Sequence, residues 1–335
     1  IMVSWVFSVF LLKIKSVKGQ SGLPITSLSL RQIVRSKTPV PEGRRSNLSD
    51  VRIIHYGLNS SVPLSYRLKN IKGLLDDADF HLDRPTVLYA HGYVELTSDD
   101  SVTTVVKAYL KNGKYNILVL DWSNMAFGNY LIASLSVQPI ATETGRALWE
   151  LLKAGLSPDG LHLIGHSLGA HLVAMIAREL ATRKVMVPRL SALDPAYPGF
   201  YPGLLGSPMT SDDAKFVDVI HTDGGCYGAP DSVGHADFWP NEGKAKQPGC
   251  ISPSILLSYE DFCSHWRSWA YWAESVTGGK FLSRQCLDYD SFLRGNCDDA
   301  DLVQMGINAD NRLRGNFYLR TAAKQPYALA ERGAE

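Results

Sequence analysis

Short apolar runs bounded by turn residues alternate with longer amphipathic stretches along most of the chain. RPTVLYAHG (Arg84 to Gly92), KYNILVLDW (Lys114 to Trp122), GLHLIGHS (Gly160 to Ser167), PRLSALDP (Pro188 to Pro195) and AKFVDVIHTDG (Ala214 to Gly224) read as strands. Several are apolar almost throughout, the pattern expected where helices cover both faces of a parallel sheet. Between them, SVTTVVKAYLK (Ser101 to Lys111) reads as a helix, with Ser98 and two aspartates supplying an N-cap and negative charge in the first turn. ATETGRALWELLKAG (Ala141 to Gly155) sets Ala147, Leu148, Leu151 and Leu152 on one face and ends at a glycine. Strand and helix in alternation predict a doubly wound α/β sheet. The fold is expected to start near Val51, after a Ser-, Arg-, Lys- and Pro-rich lead-in over residues 20–50.

Composition narrows the function classes. Hydrophobic residues make up 45% and charged residues 20% of the 335 positions, an ordinary globular balance. The formal charge of +1 offers none of the basic field that nucleic-acid binding needs. The apolar stretch at residues 1–12 is shorter than the roughly 20 residues of a membrane span and suits a secretory leader ending near Gly19; a buried N-terminal strand is the other reading. In an oxidising compartment the five cysteines, Cys226, Cys250, Cys263, Cys286 and Cys297, can pair, and none has the two-residue gap of a zinc or redox motif. Asn47 and Asn59 then stand in glycosylation sequons.

The chemistry centres on Gly165-His166-Ser167-Leu168-Gly169, a G-x-S-x-G between a predicted strand and a predicted helix. A serine on such a tight turn needs small neighbours, and its hydroxyl stands at a helix N-terminus that favours developing negative charge. The plain alternative is a serine that merely caps the helix. A hydroxyl needs a base to take its proton, and the base needs a carboxylate to orient it, in the chain order Ser, Asp, His. Asp194 ends the strand RLSAL and is followed by Pro195, so it serves either as that carboxylate or as a turn-forming Asp-Pro. Three histidines follow. His221 ends the strand VDVI and reads as a packing or loop residue, and His235 lies in GHADFWPN. His265 lies in CSHWRS, where a disulfide can fix the loop and Trp266, Trp269 and Trp272 suggest a packed helix behind it, so it is the preferred base. Backbone N–H groups are the usual oxyanion donors. Leu168 offers one, and Tyr93, in the His91-Gly92-Tyr93 turn after TVLYA, offers the second.

LIGHSLGAH, SALDPA, DAKFVDVIHTDG, GHADFWPN, QPGC and CSHWRS together resemble the secreted pancreatic-lipase family, in particular insect members grouped with phospholipases A1 and lipase member H. The resemblance runs from about Val51 to Thr321 and implies a single-domain α/β-hydrolase fold with a mainly parallel central sheet flanked by helices. By similarity the family's triad falls on Ser167, Asp194 and His265 and its oxyanion donors on Tyr93 and Leu168. It also implies disulfides Cys250–Cys263, around a lid carrying Ile255, Leu256 and Leu257, and Cys286–Cys297. Cys226 is then the odd one, either a thiol or a link to another chain.

Three departures refine the expectation. Only twelve residues, ISPSILLSYEDF, lie between Cys250 and Cys263, about half the lid of the family's triglyceride lipases, and the loop from His221 to His235 is short as well. Within the family this combination resembles phospholipase A1; a neutral triacylglycerol lipase and a non-catalytic carrier like the yolk proteins of flies are the alternatives. After GNFYLRT only a tail over residues 322–335 follows, so no C-terminal β-sandwich domain and no colipase partner are expected, and the protein reads as a monomer acting at a lipid–water interface. The family's calcium stretch is poorly matched, with Asp213 its clearest surviving acid, so no metal and no cofactor are expected.

Overall fold

In a computed structural model, residues 47–60, 62–252, 258–297 and 301–335 are described. The expected leader, nearly all of the lead-in, and Ile255, Leu256 and Leu257 lie outside the described residues. The strands are β1 (Arg52–Tyr56), β2 (Leu64–Arg67), β3 (Thr86–Ala90), β4 (Asn116–Asp121), β5 (Leu161–His166), β6 (Arg189–Leu193), β7 (Phe216–Ile220), β8 (Ala236–Pro240), β9 (Leu282–Gln285), β10 (Val303–Gln304) and β11 (Gly315–Leu319). The helices are α1 (Asp100–Asn112), α2 (Ser123–Ala126), α3 (Tyr130–Lys153), α4 (Leu168–Ala181), α5 (Tyr259–Val276) and α6 (Tyr289–Leu293).

The strands form one sheet in the order β10-β9-β11-β8-β7-β6-β5-β3-β4-β1-β2. Pairing is parallel from β4 through β3, β5, β6, β7 and β8 to β11, and antiparallel at both edges. Alternate residues of one strand enter opposite cores, as a period of two requires. Leu88 and Ala90 of β3 pack with α3 and α4, whereas Val87 and Tyr89 pack with α1 and α5. After β4 the chain returns past β3 to β5, so the strand order reverses between β3 and β5. Crevices at such reversals, beyond the carboxyl ends of the strands, are where α/β sheets place their sites.

Three elements differ from the sequence reading. Helix α3 begins at Tyr130, capped by the Asn129 side chain, and continues through exposed Pro139. The buried series Ala133, Val137, Ile140, Ala141 and Leu148 carries it past the proline: packing outweighs one missing backbone bond. Helix α1 is capped from Asp99 rather than Ser98, and the Asp99 carboxylate accepts the Leu96 N–H at 3.0 Å. Residues 322–335 are no loose tail: the Arg320 N–H donates to Gly333 O, Ala334 is buried, and Arg267 stacks 4.8 Å from the Tyr327 ring.

Buried neutral histidines make this fold acid-sensitive. His171 donates from Nε2 to Ala196 O at 2.7 Å and accepts the Met209 N–H at Nδ1, so a second ring proton would displace a backbone donor. Burial, with Arg178 acting in the same direction, holds its pKa at about 3. Burial and Arg189 keep His162 well below the ordinary histidine value too. The unfolded chain takes up these protons near pH 6.5 and the folded chain does not, so neither group affects stability above that pH and both destabilise below it. His171 alone costs about 2 kcal/mol at pH 5. Urea midpoints should therefore fall between pH 7.5 and pH 5; equal midpoints would refute this account.

Candidate active site

The turn between β5 and α4 is dictated by its glycines. A Cβ on Gly165 would lie 2.2 Å from Gly169 O, and one on Gly169 would lie 2.2 Å from Ala90 O. Between them Ser167 adopts φ 55° and ψ −121°, a conformation that L-residues avoid unless surrounding structure imposes it. Its N–H donates to Leu193 O at 3.1 Å and its carbonyl accepts the Ala196 N–H at 3.2 Å. The Ser167 side chain makes no capping bond to α4, so its hydroxyl is not consumed by the helix. It is 8% exposed.

Asp194, one residue past β6, has φ 50° and is fully buried. Its Oδ1 accepts the Thr222 N–H at 2.8 Å and the Asp223 N–H at 3.1 Å, which leaves Oδ2 for the His265 ring, 2.6 Å from Nδ1. Gly228 makes room for this carboxylate, since a Cβ there would meet Oδ1 at 2.3 Å. His265 is not on a loop, as its surroundings in the sequence suggested, but in the second turn of α5. The Ser258 side chain caps that helix by accepting the Asp261 N–H, and the Cys250–Cys263 disulfide pins its first turns. The His265 ring centroid lies 4.7 Å from that of His166, the residue preceding Ser167. Burial lowers the pKa of His265 and Asp194 opposes this, with a net downward shift. A neutral imidazole that gives its Nδ1 hydrogen to Asp194 has its Nε2 lone pair available for a proton.

The competing histidines have other work. His221 lies 2.8 Å from Asp237 through Nε2 and stacks 3.7 Å from Trp239, which fixes the end of β7 and with it the amides that hold Asp194. His235 accepts the Val217 N–H at 3.0 Å, at the other end of that strand. Opposite the serine, a Cβ on Gly92 would lie 2.9 Å from the Ser167 Cβ, so only glycine lets the β3 turn approach. Tyr93 follows, its hydroxyl donating to Gly128 O and its ring edge-on to Tyr130 at 5.1 Å. Leu168 opens α4 directly after the serine.

Three contributors have no signature in the sequence: the Thr222 and Asp223 amides, and the buried side chain of Glu95. An amide carries no residue identity, and nothing in HGYVEL marks that glutamate as buried rather than solvated. Asp194, Asp223 and His265 offer ligand atoms within 4.8 Å of one another. The Asp194 oxygens are already taken by two backbone amides and the imidazole, so this group does not read as a vacant cation cage. Asp213 receives the Arg178 guanidinium through both oxygens, and the same guanidinium also binds Pro208 O. Cys286 and Cys297 form the second disulfide.

A family profile described as Lipase matches residues 31–327. Pancreatic lipase-related protein 2 of Sus scrofa is 34% identical over 251 residues, covering 69% of this chain and 52% of that protein. Pancreatic triacylglycerol lipase of Sus scrofa is 31% identical over 288 residues, covering 76% and 62%. The chain thus spans little more than half the length of the curated relatives it matches. MGS-M1, an α/β hydrolase from a deep-sea metagenome library, aligns over 53% of this chain and 72% of its own at 19% identity, with a TM-score of 0.33.

Proposed function

This chain belongs to the lipase family, and on that premise we propose that it hydrolyses a carboxylic ester of a glycerolipid through an acyl-enzyme formed on Ser167. The observation that carries the proposal is the buried Asp194–His265 pair at 2.6 Å, whose imidazole ring lies 4.7 Å from that of His166, next in the chain to a serine whose side chain makes no capping bond. In the proposed reaction His265 Nε2 takes the Ser167 proton as Oγ attacks the ester carbonyl, and Asp194 stabilises the imidazolium. The Tyr93 and Leu168 N–H groups receive the oxyanion. His265 then protonates the departing alcohol, and water activated by the same ring releases the fatty acid. Two disulfides suit an extracellular setting.

Within that class we favour a phospholipid substrate cleaved as by a phospholipase A1. The support is steric: only twelve residues separate Cys250 from Cys263, whose disulfide draws their Cα atoms to 5.7 Å, and the last four of the twelve already belong to α5. So short a cover leaves room for a charged headgroup to stay in water. The second reading, a triacylglycerol lipase, is favoured by the likeness to pancreatic triacylglycerol lipase of Sus scrofa. Fatty-acid release from phosphatidylcholine vesicles and from emulsified triglyceride, measured side by side, decides between them. Faster release from phosphatidylcholine is expected; faster release from triglyceride would support the second reading. Release from neither would favour a lipid carrier.

A further inference from the structure

One acidic side chain at the centre of the site has no part in the reaction above. Glu95 is 4% exposed, and a carboxylate so far from water must be partnered. Its partners belong to separate pieces of the chain. Oε2 accepts the Gly92 N–H at 2.8 Å and the Ser101 hydroxyl at 2.9 Å. Oε1 lies 2.8 Å from His166 Nδ1. This last contact is close but is not a directed hydrogen bond, since neither His166 ring nitrogen makes one among the described residues. Burial pushes the Glu95 pKa up, but His166, His91 and the Gly92 amide more than offset it and bring it to about 2, so the group is a carboxylate at neutral pH.

The two turns joined in this way are those that present the oxyanion donors. Gly92 precedes Tyr93, and His166 precedes Ser167 and Leu168. On the far side of Tyr93, Val94 has φ 52°, which a β-branched residue adopts only when held there, and its N–H donates to Ala126 O at 3.0 Å. The chain around Tyr93 is therefore gripped at the residue before by Glu95 and at the residue after by Ala126. An oxyanion donor is effective only if it is aimed before the charge develops.

We infer that Glu95 is a positioning residue that ties the Gly92–Tyr93 turn to the His166–Ser167 turn and so aims the Tyr93 N–H at the reacting carbonyl. The inference rests on the acyl-enzyme reading. Glu95 itself touches no reacting atom.

The test compares the full chain with its Ser167→Ala, Glu95→Ala and Glu95→Gln variants on p-nitrophenyl butyrate. Glu95→Ala is expected to lower kcat about 10²-fold with KM within about threefold of its starting value. Glutamine keeps an acceptor for Gly92 and Ser101 and turns an N–H toward His166, so Glu95→Gln should recover to within about tenfold of the original kcat. An unchanged kcat in Glu95→Ala, a loss confined to KM, or a glutamine variant as slow as the alanine one would overturn the inference. Should circular dichroism show Glu95→Ala unfolded, Ser101→Ala removes one of the directed bonds instead. It should lower kcat about threefold to tenfold at constant KM, and an unchanged kcat would again overturn the inference. Hydrolysis persisting in Ser167→Ala would count against the acyl-enzyme itself, so the two failures leave different marks.

Discussion

Replacing Ser167 with alanine is expected to lower kcat/KM for a soluble ester by about 10⁵-fold or more while leaving the fold in place. The size of the effect follows from the proposed chemistry, because without Oγ no acyl-enzyme forms and only the oxyanion donors and binding remain to assist water. The mildness of the structural effect follows from the local geometry. The side chain makes no capping bond, so its removal strands no helix amide, and the backbone bonds to Leu193 and Ala196 do not involve it. Alanine also retains the Cβ that Gly92 accommodates at close range. Kinetics and thermal melting on the same preparation check both halves: large residual activity would move the nucleophile elsewhere, and a collapsed melting point would make the serine structural.

The second large effect is expected from Asp194→Asn. Thr222 and Asp223 both donate to Oδ1, so the asparagine carbonyl oxygen stays on that side and its NH₂ group faces His265. An N–H aimed at Nδ1 selects the tautomer with its hydrogen on Nε2, the atom that must accept the Ser167 proton. The imidazole keeps its place but presents a donor where an acceptor is needed. A loss of about 10⁴-fold in kcat at neutral pH is expected, with a melting point close to the original because no buried amide loses its acceptor. A loss below about tenfold would show that Asp194 does not set the tautomer. A large fall in stability would assign it to loop structure instead.

The legible parts of the molecule are those where burial is nearly uniform. All five residues of β3 and all six of β5 are buried, so their apolar runs stand out without any knowledge of tertiary contacts. The first turns of α3 are obscured because exposed Ile132 and Leu135 break the polar face and Pro139 suggests a stop. The edge strands are short, and β2 is mostly exposed, which leaves little period-two signal. At the site, Ser167 is legible because its strained turn demands glycines at fixed offsets, and Asp194 because it ends a strand. The placement of His265 on a helix depends on Ser258 and on the disulfide behind it, a long-range arrangement that local residues do not encode. The role of residues 322–335 depends likewise on Tyr327 meeting Arg267 and Tyr271 from across the domain.

The most direct test of the nucleophile is covalent. Treating the protein with an alkyl phosphonate that carries a good leaving group and mapping the adduct by peptide mass spectrometry should give one label per chain, on Ser167, with ester hydrolysis lost in proportion to labelling. Full hydrolysis with Ser167 unlabelled, or an adduct on another residue that tracks the loss, would contradict the account.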